Sequence, residues 1–223
     1  MKTILIILAI ACLAATANAQ GKPKEIKLPQ TLIMPDGSSV PIRSLDSIKK
    51  VFGGRALSFS FLNDGVHVHP QKNKAEQLES DQNLNSHLNK PAPGFDLKDI
   101  NGSACSLADF KGKIVVLNFW FTQCGGCIAE MPDLNALKKS YAGKNVVFLA
   151  VTFDDDTKVK AFLASRRFDY TIIPDAAKLC KDYDINGYPT SMIIDKTGIV
   201  RFINGSIDEN IKEQLSKAID TLL

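Results

Sequence analysis

A chain of 223 residues that is 45% hydrophobic and 23% charged is long enough for one substantial core plus an appendage, but short of two full domains. Its net charge of +3 comes with no run of basic residues, so no nucleic-acid or anionic-membrane surface is expected. Five cysteines make sulfur chemistry the first question.

The chain opens with Lys2, an apolar run from Ile4 to Ala15, and Ala17-Asn18-Ala19, the small-x-small pattern that a signal peptidase accepts. Residues 1–19 read as a signal peptide, and the mature protein is expected to begin at Gln20. It would be exported to the periplasm or cell envelope and be soluble after cleavage. The alternatives are a retained anchor, for which the run is short, and a lipoprotein signal at Cys12, which lacks the usual preceding leucine.

Residues 20–90 read as an N-terminal accessory region. Met34-Pro-Asp-Gly-Ser38 and Gly54 to Phe61 faintly echo segments further on and suggest a small β-rich element, while polar Gln71 to Lys90 is a linker or a solvated helix. His67, His69 and His87 raise a metal reading, but without carboxylate or cysteine neighbours a solvated strand face is the expectation. No metal and no cofactor are expected.

Residues 91–223 alternate strands and helices. Lys113–Phe121 and Asn145–Phe153 are apolar runs of the kind buried on both faces of a sheet. Between them, Ile128, Met131, Leu134 and Leu137 recur at helical spacing over Cys127–Ala142, with Pro132 as an interruption. Two such strands around one helix predict a parallel pair with the Cys124 segment at the carboxyl end of the first strand, where open α/β sheets place their sites. Helices are expected over Thr157–Phe168 and Asp175–Asp182. A hairpin of Ser191–Asp195 with Ile199–Ile203 should follow, then a closing helix over Ile207–Leu222.

In an exported chain, Cys105, Cys124, Cys127 and Cys180 meet an oxidising environment. A C-x-x-C at a helix start lies near the positive end of the helix dipole and unpaired amides, which lowers the pKa of the first thiol. Cys124 is then the exposed nucleophile and Cys127 the buried resolving thiol. The Gly126 amide is a further possible donor to the Cys124 thiolate. Cys105 and Cys180 remain open between a structural disulfide, two buried small hydrophobes and auxiliary thiols.

Asn118-Phe-Trp120, Cys124-Gly-Gly-Cys127, Glu130-Met-Pro132, Gly187-Tyr-Pro-Thr190 and Ile194-Asp195 resemble the TlpA/ResA-type thiol:disulfide oxidoreductases of the thioredoxin superfamily, AhpC/TSA-like redoxins. The resemblance covers about residues 92–223. It implies an α/β thioredoxin-like fold with a central mixed sheet flanked by helices, here behind the accessory region. It also implies a cis-Pro189 facing the dithiol, with Tyr188, Pro189 and Trp120 binding the substrate segment. Asn118 stands where cytosolic thioredoxins carry a proton-accepting aspartate, so the acid–base role is expected to pass to Glu130. The other reading of Glu130 is a surface carboxylate favoured by the helix dipole. Gln123 and Gly126 depart from the family's usual Trp and Pro.

The resulting expectation is disulfide reduction in exported client proteins, cytochrome c maturation among them, with electrons from a membrane-bound donor. The alternatives are a peroxiredoxin-type peroxidase and a copper metallochaperone. Leu117 and Phe121 occupy the Pro and Thr positions of the first motif, and the chain has no histidine after His87 for the second.

Overall fold

The structure, a computed structural model, describes residues 31–34, 38–41, 57–62 and 65–223. The expected leader over residues 1–19, with Cys12, lies outside the described residues, as do the side chains of His67 and His69. The accessory region contains a sheet of β1 (Thr31–Ile33), β2 (Ser39–Pro41), β3 (Leu57–Leu62) and β4 (Gly65–Pro70), in the order β2-β1-β4-β3. Leu32 and Val68 are buried in it. The polar stretch becomes helix α1 (Lys74–Asn85), started by a capping box between Asn73 and Glu76. Leu84 is the buried residue of α1.

The next hairpin, β5 (Asp96–Lys98) with β6 (Ala104–Ser106), is not anticipated by the sequence pattern. Its turn is built by Asp99, whose carboxylate accepts from the Asn101 and Ser103 amides, and by Gly102 at φ 82°. After a 3-10 turn at Leu107–Phe110 comes a five-stranded sheet. Its strands are β7 (Ile114–Phe119), β8 (Val146–Val151), β9 (Thr171–Ile173), β10 (Thr190–Ile194) and β11 (Val200–Asn204), in the order β11-β10-β7-β8-β9. β7, β8 and β9 run parallel, and β10 runs antiparallel to both β7 and β11.

All six residues of β7 are buried, and their alternation divides the core. Ile114 and Val116 face helices α2 (Gly125–Ser140) and α5 (Ile211–Asp220), with Leu134, Leu137, Leu215 and Ile219. Val115, Leu117 and Phe119 face α4 (Ala177–Asp182) on the other side, with Leu179, Cys180 and Tyr183. Burying a side chain such as Leu117 contributes roughly 1.5–3 kcal/mol. The sheet is thus covered on both faces, which is why β7 reads as a continuous apolar run.

Helices α2 and α4 fall within two residues of their expected bounds, and two others depart further. Helix α3 covers Asp156–Leu163, well short of Phe168. Asn135 of α2 accepts from the Asp169 amide at 2.7 Å and donates to the Arg167 carbonyl at 3.0 Å, which pulls that segment off the helix and lets Phe168 pack on Trp120. Helix α5 starts at Ile211, four residues later than expected, because Asn204 and Asp208 accept from the Ser206 and Asn210 amides and hold residues 204–210 in turns.

Candidate active site

β7 ends at Phe119, and α2 begins at Gly125 with Cys124 as its N-cap. Cys124 and Cys127 are joined as a disulfide with Cα atoms 5.2 Å apart. The Cys127 amide donates to the Cys124 sulfur at 3.1 Å, so the helix-terminus donor for this sulfur is Cys127, not Gly126. The first turn of α2 carries no acidic side chain, and Lys138 and Lys139 sit in its last turn. Its positive end is thereby left to act on sulfur. Against expectation Cys124 is not exposed: it retains 6% of its accessible surface and Cys127 retains 2%. Pro189 and Ile207 lie against Gly126, between the two cysteines in the chain. A Cβ placed on Gly126 would lie 3.4 Å from Pro189 Cδ and 2.5 Å from Ile207 Cδ1.

Glu130 lies one turn after Cys127 and is 5% exposed, so it is not a surface carboxylate. Burial pushes its carboxyl up to about 7, helped by the negative charges of Asp208 and Asp133 and opposed by the Asp208 amide, which donates to Oε1 at 3.3 Å. Asn118 is buried between β7 and β10, its Nδ2 donating to Ser191 Oγ at 3.1 Å.

The Tyr188–Pro189 peptide is cis, and Pro189 is buried against the start of α2. Tyr188 is half-buried and forms an aromatic triad with Phe121 and Phe153, with ring centroids 5.3–5.6 Å apart. Phe153 is 41% exposed, so the triad reaches the surface. Trp120 corrects the expectation made for it. It is fully buried, packed against Phe162 and Phe168 in the same core cluster as Cys124 and Cys127, and presents no surface to a substrate.

Three features were not read from the sequence. Asp154, buried after β8, accepts from the Thr122 amide at 2.7 Å and from Lys158 Nζ at 2.6 Å, which pins the loop leading into Cys124. Cys180 and the Tyr188 hydroxyl lie close enough to shift each other's ionisation. Cys105 and Cys180 are both free and buried, so of their three readings the disulfide is absent. Ile207, 64% exposed, was the one feature with a signal, an isolated aliphatic in the polar run Asn204 to Asn210. Among the described residues, no cluster of three or more His, Cys, Asp or Glu side chains could hold a metal ion.

This arrangement of strand, dicysteine, helix and cis-proline has known counterparts. The sequence profile of the AhpC/TSA family matches residues 88–203, more than half of the chain. The chain belongs to the AhpC/TSA family. Within it, a thioredoxin-like protein from Bacillus subtilis, YneN, is 34% identical over 148 residues, 65% of this chain and 85% of that one. The thiol-disulfide oxidoreductase ResA of Bacillus thuringiensis is 38% identical over 133 residues, 58% of this chain and 75% of its own. Among solved structures, a thiol:disulfide interchange protein DsbE from Chlorobium tepidum superposes with a TM-score of 0.56 at 29% identity, covering 59% of this chain and 94% of that one. This AhpC/TSA member is a thiol:disulfide oxidoreductase of the TlpA/ResA type, with a thioredoxin-like fold.

Proposed function

We propose that the protein is an exported reductase of disulfides in client proteins, acting through Cys124 and Cys127. The observation that carries this reading is the Cys127 amide on the Cys124 sulfur at the N-terminus of α2, because that donor favours the thiolate of Cys124 over that of Cys127. In the reduced protein the Cys124 thiolate attacks one sulfur of the client disulfide. A mixed disulfide forms, and the client's other sulfur leaves as a thiolate. Cys127 then passes its proton to Glu130, and its thiolate attacks the Cys124 sulfur. The internal disulfide forms, and the client's second sulfur leaves as a thiolate, so the client gains the two electrons that the dithiol loses. Glu130 suits the proton step because an acid with a pKa of about 7 is poised near neutral pH.

Tyr188, Pro189 and the triad of Tyr188 with Phe121 and Phe153 are the surface over which a client segment would pass. A membrane-bound thiol donor would return the pair to the dithiol state. Apocytochrome c is among the clients that the TlpA/ResA resemblance suggests, and export rests on the leader over residues 1–19.

Equilibration of the Cys124/Cys127 couple with glutathione tests the direction. A couple more reducing than glutathione is expected, and a strongly oxidising one would make the protein a disulfide donor instead.

A further inference from the structure

Helix α2 and the segment joining β11 to α5 meet at two points. Asp208 donates its amide to Glu130 Oε1 at 3.3 Å, and its neighbour Ile207 seats its side chain in the space above Gly126. The loop is otherwise braced from within. The Asp208 carboxylate accepts from the Asn210 amide at 2.8 Å, from Asn204 Nδ2 at 3.5 Å and from the Gln214 side chain. Asn204 Oδ1 accepts from the Ser206 amide at 2.9 Å. These contacts tie the loop to itself and to α5, whereas the Glu130 contact ties it to the helix that carries the cysteines.

We infer that Glu130 is also a positioning residue for the substrate surface: its carboxylate latches the Asp208 amide and so holds Ile207 over the start of the dicysteine helix, loosening when the carboxylate takes up a proton. The physical reason is that an ionised carboxylate accepts a markedly stronger hydrogen bond from a backbone amide than a neutral carboxyl does. The titratable groups facing Glu130 are Asp208 from the loop, Asp133 from its own helix and Tyr170 ahead of β9. Cys127 joins them once the disulfide is reduced. Taken with the proposed transfer of the Cys127 proton to Glu130, on which this consequence rests, the latch weakens in the same step that frees the client. A proton event in the core thereby becomes a movement of the apolar wall beside the cysteines.

The test uses the full oxidised chain, in which Cys124 and Cys127 cannot titrate, so its outcome does not depend on which thiol is the nucleophile. The Ile207 δ1 methyl and the Glu130 carboxyl carbon are followed by NMR between pH 5 and 9, together with hydrogen exchange at the Asp208 amide. The methyl shift is expected to titrate with the same midpoint as the Glu130 carboxyl. Asp208 exchange, corrected for its intrinsic pH dependence, should be several-fold faster on the acid side. Glu130→Gln should abolish the methyl titration and leave it at its acid-side position, while Asp208→Asn should retain it. A methyl that does not move, that titrates with a different midpoint, that still titrates in Glu130→Gln, or that stops titrating in Asp208→Asn would overturn the latch. The agreement of midpoints in the unsubstituted protein stands whether or not either variant folds.

Discussion

The amide of Cys127 points at the sulfur of Cys124, 3.1 Å away, and Cys127 lies the deeper of the two. One sulfur therefore carries both the better access and the donor that stabilises its anion. With a disulfide-bonded test peptide, Cys124→Ser is expected to abolish exchange. Cys127→Ser should accumulate a mixed disulfide through Cys124, visible by mass spectrometry. Trapping by the Cys124 variant would reverse the two roles.

Glu130→Gln should slow exchange and remove the limb of the pH–rate profile near pH 7. It should also change stability in a pH-dependent way. Burial raises the carboxyl from 4.5 to about 7, so the folded state favours the protonated form. That contribution is fully present below pH 4.5 and is lost as pH rises through about 7. At pH 8 the ionised group is the destabilising one, by a few kcal/mol, since each tenfold change in proton affinity corresponds to ~1.4 kcal/mol. Glutamine lacks the ionisation and keeps an acceptor for the Asp208 amide. Thermal melts of the oxidised proteins should show the variant gaining on the parent at pH 8 relative to pH 5.

The β7–α2–β8 unit and the dicysteine were legible because their determinants are local: a doubly buried strand reads as an apolar run, and two cysteines sit one turn apart. The roles of Asp154 and Ile207 were not, since each acts on a partner distant in sequence, and Asp154 binds a backbone amide that leaves no trace in residue type. Trp120 was misplaced for a related reason. Sequence puts it next to the site but does not say which side of the chain it faces, and Phe162 and Phe168 draw it inward. The short strands β5, β6 and β9 fell below the length at which alternation can be recognised.

Asp154 anchors the approach to Cys124, so Asp154→Ala should be destabilising by about 1–3 kcal/mol, the usual effect of leaving a buried amide without its acceptor. Asp154→Asn keeps an oxygen for the Thr122 amide and should recover most of that loss while giving up the Lys158 ion pair. Urea midpoints of the two variants check this, and equal losses would show that the ion pair, not the Thr122 contact, holds the loop.

Cys105 and Cys180 should behave as inert apolar side chains. Burial pushes the Cys105 thiol up to about 11, with Asp99 and Asp109 adding to the rise, and burial likewise raises Cys180 against the opposing influence of Tyr188. At pH 8 a thiol with a pKa of about 11 is about one part in a thousand thiolate. Iodoacetamide applied to the reduced, folded protein should label Cys124 first. Labelling of Cys105 and Cys180 should appear only on unfolding.

The Gly125-Gly126 pair has its own consequence for the potential. Opening the disulfide returns conformational freedom to the two glycines, which favours the dithiol, and proline at 126 would remove part of that gain. The Cys124 sulfur keeps its donor, because that donor is the Cys127 amide. At ~0.4–1 kcal/mol for such a substitution, and about 30 mV per 1.4 kcal/mol for a two-electron couple, Gly126→Pro should make the couple more reducing by about 10–20 mV. The new ring would meet Ile207, whose Cδ1 and Cγ1 lie 2.5 and 2.7 Å from a Cβ at that position, but a side chain that is 64% exposed can swing aside. Adding Ile207→Ala to Gly126→Pro should therefore leave the new potential in place. Equilibration with dithiothreitol resolves shifts of this size. A return of the double variant to the parent potential would mean that displacement of Ile207, not the backbone freedom at Gly126, sets the poise.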